Sequence, residues 1–190
     1  MTRIIAGTAR GRQLAVPPGT RTRPTSDRAR EGLFATITAV HGPLTGAGVL
    51  DLYAGSGAVG LEALSRGAAR ALLVESDPAV TRVIRANIAA VGLPGAGVVT
   101  GRVATVLARG PEPGTTFDVV VADPPYAVGE QEIACMLTAL RAGGWLAGGA
   151  LVAVERASRS GPVAWPAGYA PDRSRRYGEA TFWYGLAAGI

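Results

Sequence analysis

Apolar positions along the chain change period several times, and the changes mark out the elements. Residues 3–16 alternate loosely, as Arg3-Ile4-Ile5-Ala6 and then Gln13-Leu14-Ala15-Val16 around Gly7 and Gly11, which predicts a short hairpin. Pro17-Pro18-Gly19 ends it, and Thr20–Thr25 reads as a turn-rich basic loop. Ser26-Asp27 then opens a helix, with Ser26 able to cap it and Asp27 at the positive end of the dipole. Leu33, Phe34, Ile37 and Val40 give that helix an apolar stripe, and Gly42-Pro43 to Gly46 reads as a linker.

From residue 48 onward strand and helix patterns alternate. Strands are predicted at 49–53, 71–75, 98–100, 117–123 and 151–155, with helices at 58–66, 78–91, 103–109 and 130–141 between them. Two further strands are predicted near Arg175 and at Thr181–Tyr184. Phe117–Asp123 is apolar nearly throughout, as a strand covered on both faces should be. Such alternation implies an α/β fold, a doubly wound and mostly parallel sheet with helices on both faces. Residues 1–42 are expected to form an extension, and residues 43–190 the main domain.

Composition changes this picture in one respect, the placement of charge. The chain has 190 residues and a net charge of +5, and its 19 cations are all arginine. Residues 1–31 hold Arg3, Arg10, Arg12, Arg21, Arg23, Arg28 and Arg30 against only Asp27 and Glu31, so one sixth of the chain carries the whole excess. A guanidinium fork suits phosphate, and a concentrated basic segment points to nucleic acid. One Cys and one His exclude a disulfide framework and a His-ligated metal site. Met1-Thr2-Arg3 leads into mixed polar sequence without a signal peptide's apolar core, and the Gly-rich run 142–154 is too short to span a bilayer, so a soluble, cytoplasmic protein is expected.

The chemistry concentrates in two places. Asp51-Leu52-Tyr53-Ala54-Gly55-Ser56-Gly57-Ala58-Val59-Gly60 fits G-x-G-x-x-G between a strand and a helix, and Glu75-Ser76 ends the next strand. That combination lets backbone approach a nucleotide and sets an acid against ribose hydroxyls. It fits NAD(P) or S-adenosylmethionine. Asp51, just before the turn, favours the second, because a carboxylate repels pyrophosphate and attracts a sulfonium and an amino group. The chain length also leaves no room for a dehydrogenase's substrate domain.

The other place is Asp123-Pro124-Pro125-Tyr126, directly after the fourth predicted strand and hence on the same rim. Prolines have no N–H and hold the backbone rigid, so their carbonyls can face a substrate. An amine that must act as a nucleophile needs acceptors for its protons and a surface to stack on. Asp123 and the Pro124 carbonyl offer the first, Tyr126 the second.

These two stretches resemble the class I S-adenosylmethionine-dependent methyltransferases that modify exocyclic amines of nucleobases. The amino end is more specific. Arg3-Ile4-Ile5-Ala6-Gly7 with Arg10-Gly11-Arg12, Arg23-Pro24-Thr25, Asp27-Arg28, Arg30-Glu31 and Leu33-Phe34 resembles the RsmD-type 16S rRNA guanine-N2 methyltransferases. The resemblance runs from residue 3 to about residue 184. It implies a seven-stranded methyltransferase sheet behind an RNA-binding β-hairpin extension, and methylation of one guanine in small-subunit rRNA.

On that basis Asp123, Pro124, Pro125 and Tyr126 are expected to be catalytic. Asp51, Tyr53, Ala54, Gly55, Ser56, Gly57, Glu75 and Ser76 are expected to hold S-adenosylmethionine. Arg102 and Val103 join them, although Gly101-Arg102-Val103 stands where such enzymes usually carry an acid near the adenine. Arg3, Arg10, Arg12, Arg21, Arg23, Thr25, Arg28 and Arg30 are expected to meet 16S rRNA or the assembling subunit, with no metal and with the protein a monomer. Two rivals stand beside this reading: a DNA adenine-N6 or cytosine-N4 methyltransferase, and a non-catalytic RNA-binding assembly factor on the same fold. Of the remaining residues, Cys135 reads as core and His41 as a partner for its helix's C-terminal dipole, while Arg173, Arg175, Arg176 and Tyr177 form a small basic-aromatic cluster able to touch RNA.

Overall fold

The computed structural model describes residues 2–17 and 26–189, so Arg21, Arg23 and Thr25 lie outside the described residues. The hairpin forms from β1 (Thr2–Arg3) and β2 (Gln13–Leu14), paired antiparallel. Helix α1 (Asp27–His41) begins where the capping residue predicts it, the Ser26 hydroxyl accepting from the Ala29 N–H at 3.2 Å.

The main domain runs β3 (Gly48–Leu52), α2 (Ala58–Ser65), β4 (Arg70–Glu75), α3 (Pro78–Val91), β5 (Ala96–Thr100), α4 (Val103–Arg109), β6 (Phe117–Ala122) and α5 (Glu130–Ala142). It closes with β7 (Leu146–Ala157), β8 (Tyr169–Tyr177) and β9 (Ala180–Ala187). Asp77 caps α3 by accepting from the Ala79 N–H at 2.7 Å, Pro78 takes the first helical position, and Gly92 ends the helix in the left-handed conformation. β7 is longer than its apolar run predicted. Its Gly-rich start pairs with β6 only at Leu146, before a register shift.

The seven strands order as β5-β4-β3-β6-β7-β9-β8, parallel from β5 to β7, with β9 inserted antiparallel between β7 and β8. This is the doubly wound, mostly parallel seven-stranded sheet that the sequence implied. The order reverses between β3 and β6, and ligands in open α/β sheets bind at that switch, outside the strands' carboxyl ends. One sheet face packs on α1, α2 and α3, the other on α4 and α5. In α5 the buried stripe is Ile133, Met136, Leu137 and Leu140, which leaves Cys135 on the exposed side. The expectation of a core cysteine is overturned by that helical phase.

The amino-terminal extension shares a core with the sheet. Ile4, Leu14, Leu33, Phe34 and Ile37 are buried in one cluster with Val49, Leu61 and Val121. The polar part of this junction centres on Glu62 of α2, which is fully buried. Its carboxylate accepts from the N–H groups of Ile5 (2.7 Å) and Ala6 (2.9 Å) and from Arg66 Nε at 2.8 Å. Arg30 Nε lies 3.8 Å from the same carboxylate. Ser65 completes the seam, its hydroxyl donating to the Ala6 carbonyl at 2.6 Å and accepting from the Ala9 N–H at 2.9 Å. The backbone of Gly7 passes so close that a Cβ there would stand 1.8 Å from the Ser65 carbonyl oxygen, at a φ of +82° that only glycine adopts cheaply.

Arg30 is among the most buried side chains of the molecule at 1% exposure. It donates to the Arg3 carbonyl, to Thr2 Oγ1 at 3.2 Å and to Asp27 Oδ1 at 3.1 Å. Burial pulls its pKa down and the Glu62 and Asp27 carboxylates oppose that pull. Expected as a phosphate contact, Arg30 is instead an internal cation. Removing Glu62 would strand two guanidinium groups and two N–H donors. Glu62→Ala should therefore cost about 3–5 kcal/mol of unfolding free energy, measured by denaturant titration, whereas exposed Glu112→Ala should stay within about 0.5 kcal/mol of wild type.

Candidate active site

A cavity of about 490 Å³ opens at the switch point, a size suited to a small-molecule cofactor. Its wall is built from the carboxyl ends of β3, β4, β6 and β7, with Val16 and Pro17 of the extension closing one side. Of the expected residues, Asp51, Tyr53, Ala54, Gly55, Ser56, Glu75, Ser76, Asp123, Pro124, Pro125 and Tyr126 all line it. Gly57 sits directly behind, at the N-cap of α2 with φ +79°, and a Cβ there would come within 2.9 Å of Leu73. A left-handed residue pressed against the second strand has to be glycine. Tyr53 also has positive φ, at 62°, an uncommon conformation for a non-glycine residue that marks a sharply formed turn.

Arg102 and Val103 do not join this group. Val103 is buried in the core on the α4 side, and Arg102 is an exposed N-cap residue of α4. Neither residue is part of the cavity wall.

The turn is held by the site's own carboxylates. Asp51 Oδ2 accepts from the Gly60 N–H at 2.9 Å, across the first turn of α2. Glu75 accepts from the N–H groups of Gly55 (3.1 Å), Ser76 (2.7 Å) and Asp77 (3.0 Å), which fixes it at the lip. Asp51 is 3% exposed, and burial pushes its pKa up to about 8; the Gly60 N–H counters this, while the nearby charges of Asp123 and Glu75 add to it. A carboxyl group held neutral in this way becomes the partner of a cation by giving up its proton when the cation arrives.

Two residues that carry the site were not singled out from sequence. Glu155, buried on β7, stands at the level of Asp123, because Ala122 pairs with Val154 and each acid is the next residue along. An acid at a parallel strand's carboxyl end was the available signal. Asn87 of α3, 2% exposed, exchanges both amide hydrogen bonds with Ala15, at 2.8 and 2.9 Å, and donates to the Ser56 carbonyl at 2.9 Å. It ties the exit of the hairpin to the Gly-rich turn. Its signal was a polar residue within the buried stripe Val80, Thr81, Ile84, Val91.

The cavity is acidic although the chain is basic. Asp51, Glu75, Asp77, Asp123 and Glu155 all line it, with Arg30 the one arginine of the wall among the described residues. Outside, Arg10 and Arg28 are exposed. Arg3 is exposed too and lies 3.4 Å from Asp27, and Arg12 donates to the Ala90 and Val91 carbonyls at the end of α3. Tyr126, 66% exposed, is the one large apolar side chain left open among the described residues, and it stands at the cavity mouth beside Asp123.

Residues 2–185 match the protein family described as conserved hypothetical protein 95. The chain is 41% identical over 180 residues to ribosomal RNA small subunit methyltransferase D of Escherichia coli K12, covering 95% of this chain and 87% of that protein. The protein of the same name from Haemophilus influenzae is 36% identical over 155 residues, covering 80% and 77% of the two chains. The solved structure of yhhF from Escherichia coli superposes with a TM-score of 0.85 at 39% identity, over 100% of this chain and 99% of that one. A rim that gathers Asp51, Glu75 and Asp123 on this sheet, and a match along nearly the whole length, agree: the chain belongs to the ribosomal RNA small subunit methyltransferase D family.

Proposed function

We propose that the protein methylates the exocyclic N2 amine of one guanine in 16S rRNA with S-adenosylmethionine. The observation that carries this reading is the acidic cavity with an exposed aromatic at its mouth. A dinucleotide's pyrophosphate would face Asp51, Glu75 and Asp123, whereas a sulfonium and an ammonium are drawn by them. The family relatives named as rRNA methyltransferases support the same substrate class.

In this reading Asp51 and the Tyr53–Gly57 turn hold the methionine end of the cofactor, and Glu75 with Ser76 hold its ribose. When bound, the cofactor supplies a methyl group already activated by a positive sulfur. Tyr126 stacks on a guanine drawn out of its RNA context, a contact open to any base face. Asp123 and the Pro124 carbonyl accept the two amine protons, which turns the nitrogen lone pair towards the methyl. Positioning supplies most of the rate, and Asp123 is placed to take the proton released when the amine is alkylated. Arg10, Arg12, Arg21, Arg23, Thr25 and Arg28 meet phosphates around the target. Of these, Arg10, Arg12 and Arg28 are exposed and are not part of the cavity wall, where the neutral base enters and the backbone does not. Action in the cytoplasm, on free rRNA or on the assembling subunit, follows from this substrate.

The direct test is mass spectrometry of digested rRNA from cells lacking the protein, which should have lost one N2-methylguanosine that the purified protein restores in vitro. An unchanged rRNA with a methylated base missing from DNA would shift the assignment to the DNA-modifying alternative. Asp123→Ala should lower methyl transfer by on the order of 10²-fold or more while calorimetry finds cofactor affinity within a few-fold of wild type. Tyr126→Ala should raise KM for RNA by an amount equivalent to about 1–3 kcal/mol, and Tyr126→Phe should keep most of the loss from appearing.

Asp51 makes cofactor binding pH-dependent. Its pKa of about 8 in the protein alone means that it is protonated below that pH, and a bound cation pulls the pKa down. Binding must then release a proton, and affinity should rise as pH increases from 6 towards 8. Calorimetry in two buffers of different ionisation enthalpy measures that proton, and Asp51→Asn should abolish it while flattening the pH dependence.

A further inference from the structure

We infer that the basic edge strand β8 is a second RNA-contact surface, continuous with the basic start of α1; this rests on the rRNA reading above. β8 is the outermost strand at one end of the sheet, and residues 170–176 are all exposed. Arg173, Arg175 and Arg176 lie on it against a single acid, Asp172, which pairs with Arg173.

Register places this edge beside the active site. Glu155 of the cavity wall pairs with Phe182, and Phe182 pairs with Arg175. Arg175 is therefore two strand spacings, about 10 Å, from the wall, at the level of the rim. The next row out, Arg156–Thr181–Arg176, adds two further arginines on the other face of the sheet, and through exposed Arg176 the basic surface continues around the open edge strand.

The strand's phase decides what lies next to it. Residues 173, 175 and 177 share one face, the face on which Phe182 and Tyr184 are buried with α1. Tyr177 reaches α1 itself: a Cβ at Gly32 would stand 2.2 Å from the tyrosine Oη. Arg28 is one helical turn before Gly32 and exposed, so it emerges on the same side of the helix, next to this contact. Arg28 and the β8 arginines, about 145 residues apart in sequence, thus come to the two sides of the Gly32–Tyr177 contact, on the flank of the cavity wall to which Arg30 and Glu155 belong. A surface of planar guanidinium groups flanking a pocket for a neutral base fits a sugar-phosphate backbone on either side of the target nucleotide.

The test compares wild type with Arg173→Ala/Arg175→Ala/Arg176→Ala in the full chain, using protein-free 16S rRNA as the probe across a salt series. Three lost phosphate contacts should flatten the log–log salt slope by about two units, so that a fourfold rise in salt weakens the variant about sixteenfold less than it weakens wild type. Cofactor affinity should stay unchanged, and the corresponding triple lysine variant should keep the wild-type slope. A triple alanine variant with wild-type affinity and slope overturns the inference, and it does so most sharply if that variant instead self-associates, which would make the arginines guards of an open sheet edge. Weakening seen only on the assembled subunit, with protein-free rRNA bound as by wild type, also overturns it in favour of a protein partner. Failure of the rRNA reading looks different: wild type itself would neither bind nor methylate protein-free 16S rRNA or the assembled subunit.

Discussion

A buried carboxylate on α2 fixes the relation between the two parts of the chain. Glu62 has no exposure, yet it receives two backbone N–H groups from the hairpin and one guanidinium, with a second 3.8 Å away. An ion pair so placed adds little net stability over an apolar core, and its value lies in geometry. In this docking the hairpin's Ile5 and Ala6 N–H groups and Arg66 Nε all find their acceptor in one carboxylate. Because α2 is also the helix that follows the Gly-rich turn, whatever positions the extension is referenced to the cofactor site. Asn87 makes the same link from the other side, holding Ala15 and Ser56 in one amide.

That rigid frame separates charge in space. Five carboxylates line the cavity, while exposed arginines gather on the extension, α1 and β8. Each half of this arrangement is unfavourable alone. Burial, with the neighbouring charges of Asp123 and Glu75 adding to it, makes Asp51 hold its proton to about pH 8. A basic surface without a partner repels itself as well. In the proposed reading, a cationic cofactor in the cavity and an anionic polymer on the outside relieve both, so the electrostatic cost of the protein alone is recovered as ligand selectivity. In that reading the same separation steers RNA to the rim and admits only the neutral base beyond it, where Tyr126 offers an open ring.

Local signals in the chain determined much of this. Period, capping and glycine placement located the main helices, because Ser26, Asp77-Pro78 and Gly92 act on the backbone within one turn. The rim motifs were legible for a similar reason. Asp51–Gly57 and Asp123–Tyr126 each follow a strand directly, and a parallel sheet puts every such segment at the same edge. What only the tertiary structure decided are the pairings over long separations. Arg28 and Arg30 look alike in sequence, yet one helix faces solvent with the first and Glu62 with the second. Arg102 and Val103 follow a strand of the same sheet but are not part of the cavity wall, Val103 being buried with α4. Glu155 joins the cavity wall because β7 pairs beside β6, and Arg175 reaches the rim because β9 inserts between β7 and β8. Local propensity fixes dihedral angles within a turn or two; strand order is settled by which faces bury together, and that sum is taken over the whole chain.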